Sequence, residues 1–319
     1  MNEYVPFHTP NLVWDFNIAI YLFLLGISSG AVQLAIAFKR SDKLEKPNLN
    51  WVIKASGWLG VVPVVIGLIL LIFHLARPWT FWKLMFNYQF NSVMSMGVML
   101  FQVYLAVLII WLAIIFKEEL AALINRFVPK LQFLLKWVNI AERVTNPIEV
   151  VLFVLAAVLG AYTGFLLSAL ISYPMLNNPV LPALFLASGT SSGIAATFLV
   201  ILTVGKLRGD SHEVHFIHKF EVPIMVTELG LIVCFFVGLY FGGGAKVESM
   251  HNALTGFWGA VFWIGVMLIG IIIPLIANLF VKDSLKYNKS FIIWISIFDL
   301  IGVLCLRFFI LYAGQLTVV

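Results

Sequence analysis

An all-α integral membrane protein with eight spanning helices is the fold class this sequence predicts, and three observations predict it. Apolar side chains make up 62% of the 319 residues and charged ones only 11%, a balance richer in apolar surface than a soluble core requires. The apolar residues gather into eight runs, each long enough to cross a hydrocarbon layer of about 30 Å. The basic residues between the runs are unevenly shared between the two sides. Continuous apolar runs exclude a β-barrel, whose strands change polarity at every second residue.

The runs cover 15–38, 53–75, 91–115, 148–172, 182–205, 220–241, 256–279 and 291–313. At about 1.5 Å per residue each slightly exceeds the layer, so moderate tilt is expected. The first run is read as a retained span, because no Lys or Arg precedes it and it outlasts a signal-peptide core. The segments after spans one, three, five and seven hold Lys39, Arg40, Lys43, Lys46, Lys54, Lys117, Arg126, Lys130, Lys136, Arg143, Lys206, Arg208, Lys219, Lys282, Lys286 and Lys289. The opposite side holds only Arg77, Lys83 and Lys246. This bias puts both termini outside. The net charge of +5 is thereby an orientation signal and gives no reason to invoke nucleic acid. Segment 116–147, with Lys117, Glu118, Glu119 and Arg143, reads as an amphipathic interfacial helix. Residues 1–319 thus form a single membrane domain.

The chain also repeats itself. Leu22-Phe23-Leu24-Leu25-Gly26-Ile27-Ser28-Ser29-Gly30-Ala31 matches Leu184-Phe185-Leu186-Ala187-Ser188-Gly189-Thr190-Ser191-Ser192-Gly193 with one residue inserted. Both stretches run in the same direction, so a duplication relates spans one to four (1–172) to spans five to eight (182–313) about an axis along the membrane normal. Two four-helix bundles follow. The small residues suit close helix packing, and Ser28, Ser29, Ser191 and Ser192 are read first as packing residues.

Several cofactor chemistries are set aside. Cys234 and Cys305 lie in apolar spans with no partner at metal or redox spacing, so no iron–sulfur cluster is expected in this chain. A b-type haem needs facing axial ligands at depth. Of six histidines only His74 falls in a predicted span, so no haem is expected either. His212, His215 and His218 are placed in a solvated loop after span five, without the fourth ligand a metal site wants.

The stretch Trp14-Asp15-Phe16-Asn17-Ile18-Ala19-Ile20-Tyr21-Leu22-Phe23-Leu24-Leu25-Gly26-Ile27-Ser28-Ser29-Gly30 resembles the first-helix signature of the NrfD/PsrC family. These are the membrane subunits of polysulfide reductase and related respiratory molybdoenzymes. Eight spans, outside termini and the Leu75-Ala76-Arg77-Pro78 end of span two agree with it. The resemblance implies a membrane anchor that binds a quinone, expected to be menaquinone, and carries no metal or haem. It also implies partners: a periplasmic iron–sulfur subunit with four clusters, and a molybdopterin subunit that catalyses the terminal reaction, of the polysulfide or thiosulfate reductase type.

A quinone site needs hydrogen-bond partners for two ring oxygens, a proton route and an apolar slot. Polar groups at depth are the candidates, because they are costly there. Asn17 and Tyr21 lie four residues apart on one helix face, with Tyr21 roughly 9 Å below Asp15 by helical rise. His74 and Arg77 end span two at that level, Arg307 lies at similar depth in span eight, and Tyr162 is deeper in span four. Tyr and Asn can hydrogen-bond quinone oxygens, and His or Arg can take a proton or steady an anion. Interfacial anchoring remains open for Tyr21, and snorkelling beside Trp79, Phe81 and Trp82 remains open for Arg77. In the other half of the membrane, Glu221, Glu228 and Asp299 sit where a proton relay would run, or where protonated carboxyls would bond neighbouring helices. The alternatives to a quinol-oxidising anchor are a secondary transporter, for which parallel repeats and midplane acids would also be expected, and a structural anchor without redox role. Against the transporter, no Pro-broken helix pair is evident, since Pro63 and Pro223 fall near helix starts and Pro274 near an end.

Overall fold

The computed structural model describes residues 13–42, 46–75, 77–127 and 129–318. Residues 1–12, Lys43 of the basic count and Ala76 of the span-two motif lie outside the described residues. Among the described residues, eight helices are long and apolar enough to cross a membrane: α1 (Phe16–Asp42), α2 (Trp51–His74), α3 (Val93–Ile115), α4 (Thr145–Ser168), α5 (Leu181–Thr203), α6 (His212–Phe241), α7 (Gly256–Phe280) and α8 (Lys289–Ala313). No strand occurs among the described residues.

Local chemistry sets several of the helix starts. Asp15 accepts from the Asn17 amide at 3.1 Å at the head of α1, and Asn50 accepts from Val52 N at 2.9 Å at the head of α2. Asn288 does the same for Ser290 N at 2.9 Å at the head of α8. Each satisfies an amide that the helix itself cannot. At the other end of α1, Lys39 and Arg40 face the negative end of its dipole.

α1 and α5 form the centre. α1 packs on α2, α4, α5 and α8, while α5 packs on α1, α4, α6 and α8. Within the first half the packed pairs are α1 with α2, α1 with α4 and α3 with α4; within the second they are α5 with α6, α5 with α8 and α7 with α8. The two stretches that match in sequence are the ones that meet. A β-carbon on Gly26 would stand 3.1 Å from the Gly189 Cα, and one on Gly193 would stand 2.3 Å from Ala31 N. Only hydrogen side chains permit that crossing.

Both ends of the described chain lie on one face, called here the terminal face, where Val13 N and Trp14 N donate to Gln315 Oε1 at 2.9 and 3.1 Å. The opposite, basic face is clamped by the buried Glu149. It pairs with Lys39, lies 3.5 Å from Arg40 Nε and accepts from Trp111 Nε1 at 3.2 Å.

Three expectations are corrected, and one element is new. Segment 116–147 is two short helices, Lys117–Phe127 and Gln132–Glu142, separated around Pro129, which has no amide hydrogen to continue the ladder. The two helices are joined by Lys117 and Glu142 at 2.7 Å. His212, His215 and His218 are not in a loop: they form the first two turns of α6. Their polarity ends an apolar run but does not end a helix, since they have separate partners. His212 pairs with Asp42 at 3.1 Å, His215 packs on the Tyr287 ring, and the buried His218 bonds Glu221. Pro63 and Pro223 lie inside α2 and α6 rather than near their starts, and both helices continue through them. Finally, an unanticipated helix, Gly244–Leu254, precedes α7; residues 261–272 of α7 and 309–313 of α8 are wound as π-helix.

Candidate functional site

A cavity of about 230 Å³ opens in the first half toward the terminal face. Its origin is in the packing: α2 leans on α1 and α5, α3 leans on α4, and α2 and α3 touch each other little. The gap between them is lined by Leu68, Leu71, Ile72 and Leu75 from the α2 side and by Met94, Val98, Phe101 and Leu105 from α3. Trp14 and Ile18 close one end, and Phe81, Leu84 and Met85 of the α2–α3 connection form the roof. Gln102 holds that roof, donating to the Met85 carbonyl at 3.1 Å and accepting from Tyr88 Oη at 2.5 Å. The space is below the roughly 300–1,000 Å³ of drug-sized sites and of the scale of one fused-ring headgroup.

Few polar groups reach this slot. Tyr21 of α1, Phe101 of α3 and Tyr162 of α4 form an edge-to-face series, with ring centroids 6.0 and 5.8 Å apart. The Tyr162 hydroxyl donates to the Val93 carbonyl at 3.0 Å. It reaches that carbonyl because residue 97 is glycine: a β-carbon there would sit 1.9 Å from the hydroxyl oxygen. At the entrance His74 Nδ1 faces Asp15 Oδ1 at 3.3 Å, and Asp15 is steadied by Asn17, whose side-chain amide donates to Oδ2 at 3.3 Å. A carboxylate behind an imidazole fixes the orientation of the ring.

Three of the six residues predicted for this site therefore line the cavity: Tyr21, His74 and Tyr162. Asn17 stands one step behind, through Asp15. Arg77 is exposed at the terminal face, just past the lining residue Leu75.

Arg307 goes elsewhere. It is fully buried between the halves of the chain, its Nη2 donating to the Phe185 carbonyl at 3.2 Å and its guanidinium carbon 3.8 Å from the centre of the Phe185 ring. Helical rise gives the level of this side chain but not its direction: it faces α5 and α1, beside Gly26. Nε and Nη1 have no hydrogen-bond partner among the described residues, and the charge of Arg307 is felt at Glu228.

Around it the second half carries a buried polar series. His218 Nδ1 and Glu221 Oε2 are 2.6 Å apart near the basic face. Glu221 and Glu228, two turns apart on α6, both act electrostatically on Asp299 of α8. The Ser191 hydroxyl donates to Asp299 at 3.0 Å. Ser28 and Ser29 do hold helices together, donating to the carbonyls of Gly60 and Ala156, each at 2.6 Å. Ser191, their counterpart in the second stretch, serves the acid instead.

Comparison with known proteins gives this geometry its context. A family model described as polysulphide reductase, NrfD, matches residues 4–319. The chain belongs to that family. It is 79% identical over 314 residues to a protein NrfD homolog of Haemophilus influenzae, covering 98% of both chains. It is 48% identical to protein NrfD of Escherichia coli over the full length of both. With the C subunit of the polysulfide reductase of Wolinella succinogenes it shares 41% identity over 95% of each protein. The protein is accordingly a multi-pass membrane protein of the NrfD type.

Asp15, Trp14 and Gln102 are the residues of this NrfD-family cavity that sequence reasoning missed. Asp15 lay within the quoted signature stretch and one turn before Ile18; a carboxylate opening an apolar span was the available signal. Trp14 opens the same stretch, but its place in the wall, like that of Gln102, depends on contacts remote in sequence.

Proposed function

We propose that this chain is the quinol-oxidising membrane anchor of a respiratory reductase complex in a bacterial inner membrane, with the terminal face in the periplasm. The single observation that carries the reading is the cavity: an apolar slot between two loosely paired helices, with Tyr21, Tyr162 and the Asp15–His74 pair as its polar groups. A menaquinol headgroup enters sideways from the bilayer, and its isoprenoid tail stays among the apolar faces of α2 and α3. His74, backed by Asp15, accepts a hydroxyl proton, and the Tyr21 hydroxyl hydrogen-bonds a ring oxygen. Oxidation of one quinol to quinone releases two electrons and two protons. The electrons leave at the terminal face to a periplasmic iron–sulfur subunit with four clusters, and from there reach a molybdopterin subunit of the polysulfide or thiosulfate reductase type. The chain itself holds neither cluster nor haem in this reading.

In the same reading Glu221, Glu228 and Asp299 form a proton relay through the second half. Arg307 is reassigned from the quinone pocket to this relay, as the counter-charge to Glu228. The halves 1–172 and 182–313 are taken as duplicated units that have diverged, one to a slot and the other to an acid series. The transporter alternative gains no support, because α2 and α6 run unbroken through Pro63 and Pro223.

The test is quinol-dependent reduction of the terminal acceptor in membranes that carry the whole complex. Tyr21→Phe and His74→Leu are expected to lower it at least tenfold, the range in which general acid–base groups act being roughly 10²–10⁴-fold. Rates are normalised to an artificial donor that feeds the catalytic subunit directly. Unchanged quinol turnover in both variants would return the two residues to anchoring and packing.

A further inference from the structure

Gln315 lies just past α8 and is 1% exposed. A glutamine amide has one oxygen that accepts twice and one nitrogen that donates twice, and here all four capacities are used. Oε1 accepts from Val13 N at 2.9 Å and from Trp14 N at 3.1 Å. Nε2 donates to the Trp14 carbonyl at 3.1 Å and to the Leu311 carbonyl at 2.9 Å. One side chain thus holds the amide and the carbonyl of Trp14 while tying itself to its own helix.

Trp14 precedes α1 and belongs to no helix, so helical hydrogen bonds do not fix it. A segment outside any helix is mobile unless something holds it. Its side chain is nevertheless a wall of the cavity. The neighbouring hold has the same source: Tyr312 is hydrogen-bonded to the main chain of Phe16. Leu311 and Tyr312 both belong to the π-wound end of α8, a local irregularity of the kind often found at functional sites.

We propose that Gln315 is a positioning residue for the quinone cavity: reaching over from the second half of the chain, it fixes Trp14 as the cavity wall and thereby sets the fit of the ring headgroup. The proposal rests on the quinone reading above. Gln315 touches no ligand and acts only through Trp14, so its loss loosens headgroup fit and leaves the proton-accepting pair in place.

The experiment uses the whole complex in native membranes, with dimethylnaphthoquinol as the donor. Gln315→Met removes all four bonds with little change of shape, and Gln315→Glu replaces the donating nitrogen by an oxygen that faces the Trp14 and Leu311 carbonyls. KM for the quinol is expected to rise in both variants, by roughly three- to tenfold in Gln315→Met, the scale of one or two lost buried hydrogen bonds; kcat should change little. Trp14→Ala should raise KM similarly, and adding Gln315→Met to it should raise KM no further, since coupled residues are non-additive. An unchanged KM in Gln315→Met, or effects that multiply in the double variant, would overturn the proposal. Should Gln315→Met fail to accumulate, the Gln315→Glu variant decides: a raised KM supports the proposal and an unchanged KM overturns it. Leu68→Trp, which fills the cavity, separates the two levels of argument. If it leaves quinol turnover intact, the quinone reading itself fails. If it blocks turnover while the Gln315 variants behave as wild type, only the positioning role fails.

Discussion

At the scale of single residues, the floor of the cavity depends on an atom that is missing. Tyr162 can reach the Val93 carbonyl only because Gly97 offers no side chain. Gly97→Ala should push the tyrosine off that carbonyl and into the slot, at a cost of about 1–3 kcal/mol typical of overpacking. The expected readouts are a lower melting temperature of the detergent-purified complex and weaker quinol binding; a variant with wild-type values for both would show that the floor can yield. The sequence named Tyr21, His74 and Tyr162 because a hydroxyl or imidazole inside an apolar run announces itself. It could not place Arg307, since helical rise gives the depth of a side chain but its direction follows from which helices pack around it. Nor could it join Trp14 to Gln315, residues 301 positions apart whose contact exists only once both ends of the bundle are assembled.

Among the elements, the crossing of α1 and α5 carries the architecture, because lipid offers no hydrophobic drive for helix association and close van der Waals contact must supply it. Gly26 and Gly189 meet there with no room for a β-carbon to settle without movement. Gly189→Val should therefore prevent stable assembly, seen as loss of a monodisperse peak in detergent size exclusion, while Gly230→Val is the control, since a β-carbon at Gly230 meets nothing within 4 Å. If both variants assemble alike, the crossing is more plastic than its geometry states. All eight spans were legible in the sequence to within a few residues at most ends, because a run of apolar residues is a direct physical record of lipid contact. α6 was the exception. Its first two turns are polar and face Tyr287, Asp42 and Glu221, and a hydropathy scan sees no difference between such turns and a loop. The two short helices around Pro129 were likewise merged, since amphipathic periodicity survives across a break that only the proline marks.

For the whole molecule, the separation of cavity and acid series makes a prediction about energy conservation. If quinol is oxidised at the periplasmic end and the acceptor is reduced in the periplasm, protons released and consumed on one side leave no net charge across the membrane. Charge separation then requires a path through the second half, where Glu221, Glu228 and Asp299 stand. Moving one charge against 100 mV costs about 2.3 kcal/mol. Glu228→Gln or Asp299→Asn should therefore abolish potential formation in proteoliposomes that hold the complete complex, measured with a voltage-sensitive dye. A wild-type complex that turns over with no potential would make the acids structural. Orientation has its own check: a reporter fused after Val319 should be active only if it functions in the periplasm, and activity of a cytoplasm-only reporter would reverse the assignment. The contact between Gln315 and residues 13–14 has a further consequence for chain connectivity. Residues 13–14 touch Gln315 on one face, and the α4–α5 connection emerges on that same face. Joining Leu316 to Val13 through a short linker and reopening the chain near Asn177 would yield a circular permutant in which residues 178–316 are synthesised first. Every helix would keep its direction across the membrane, so the order of insertion could be reversed without altering the fold.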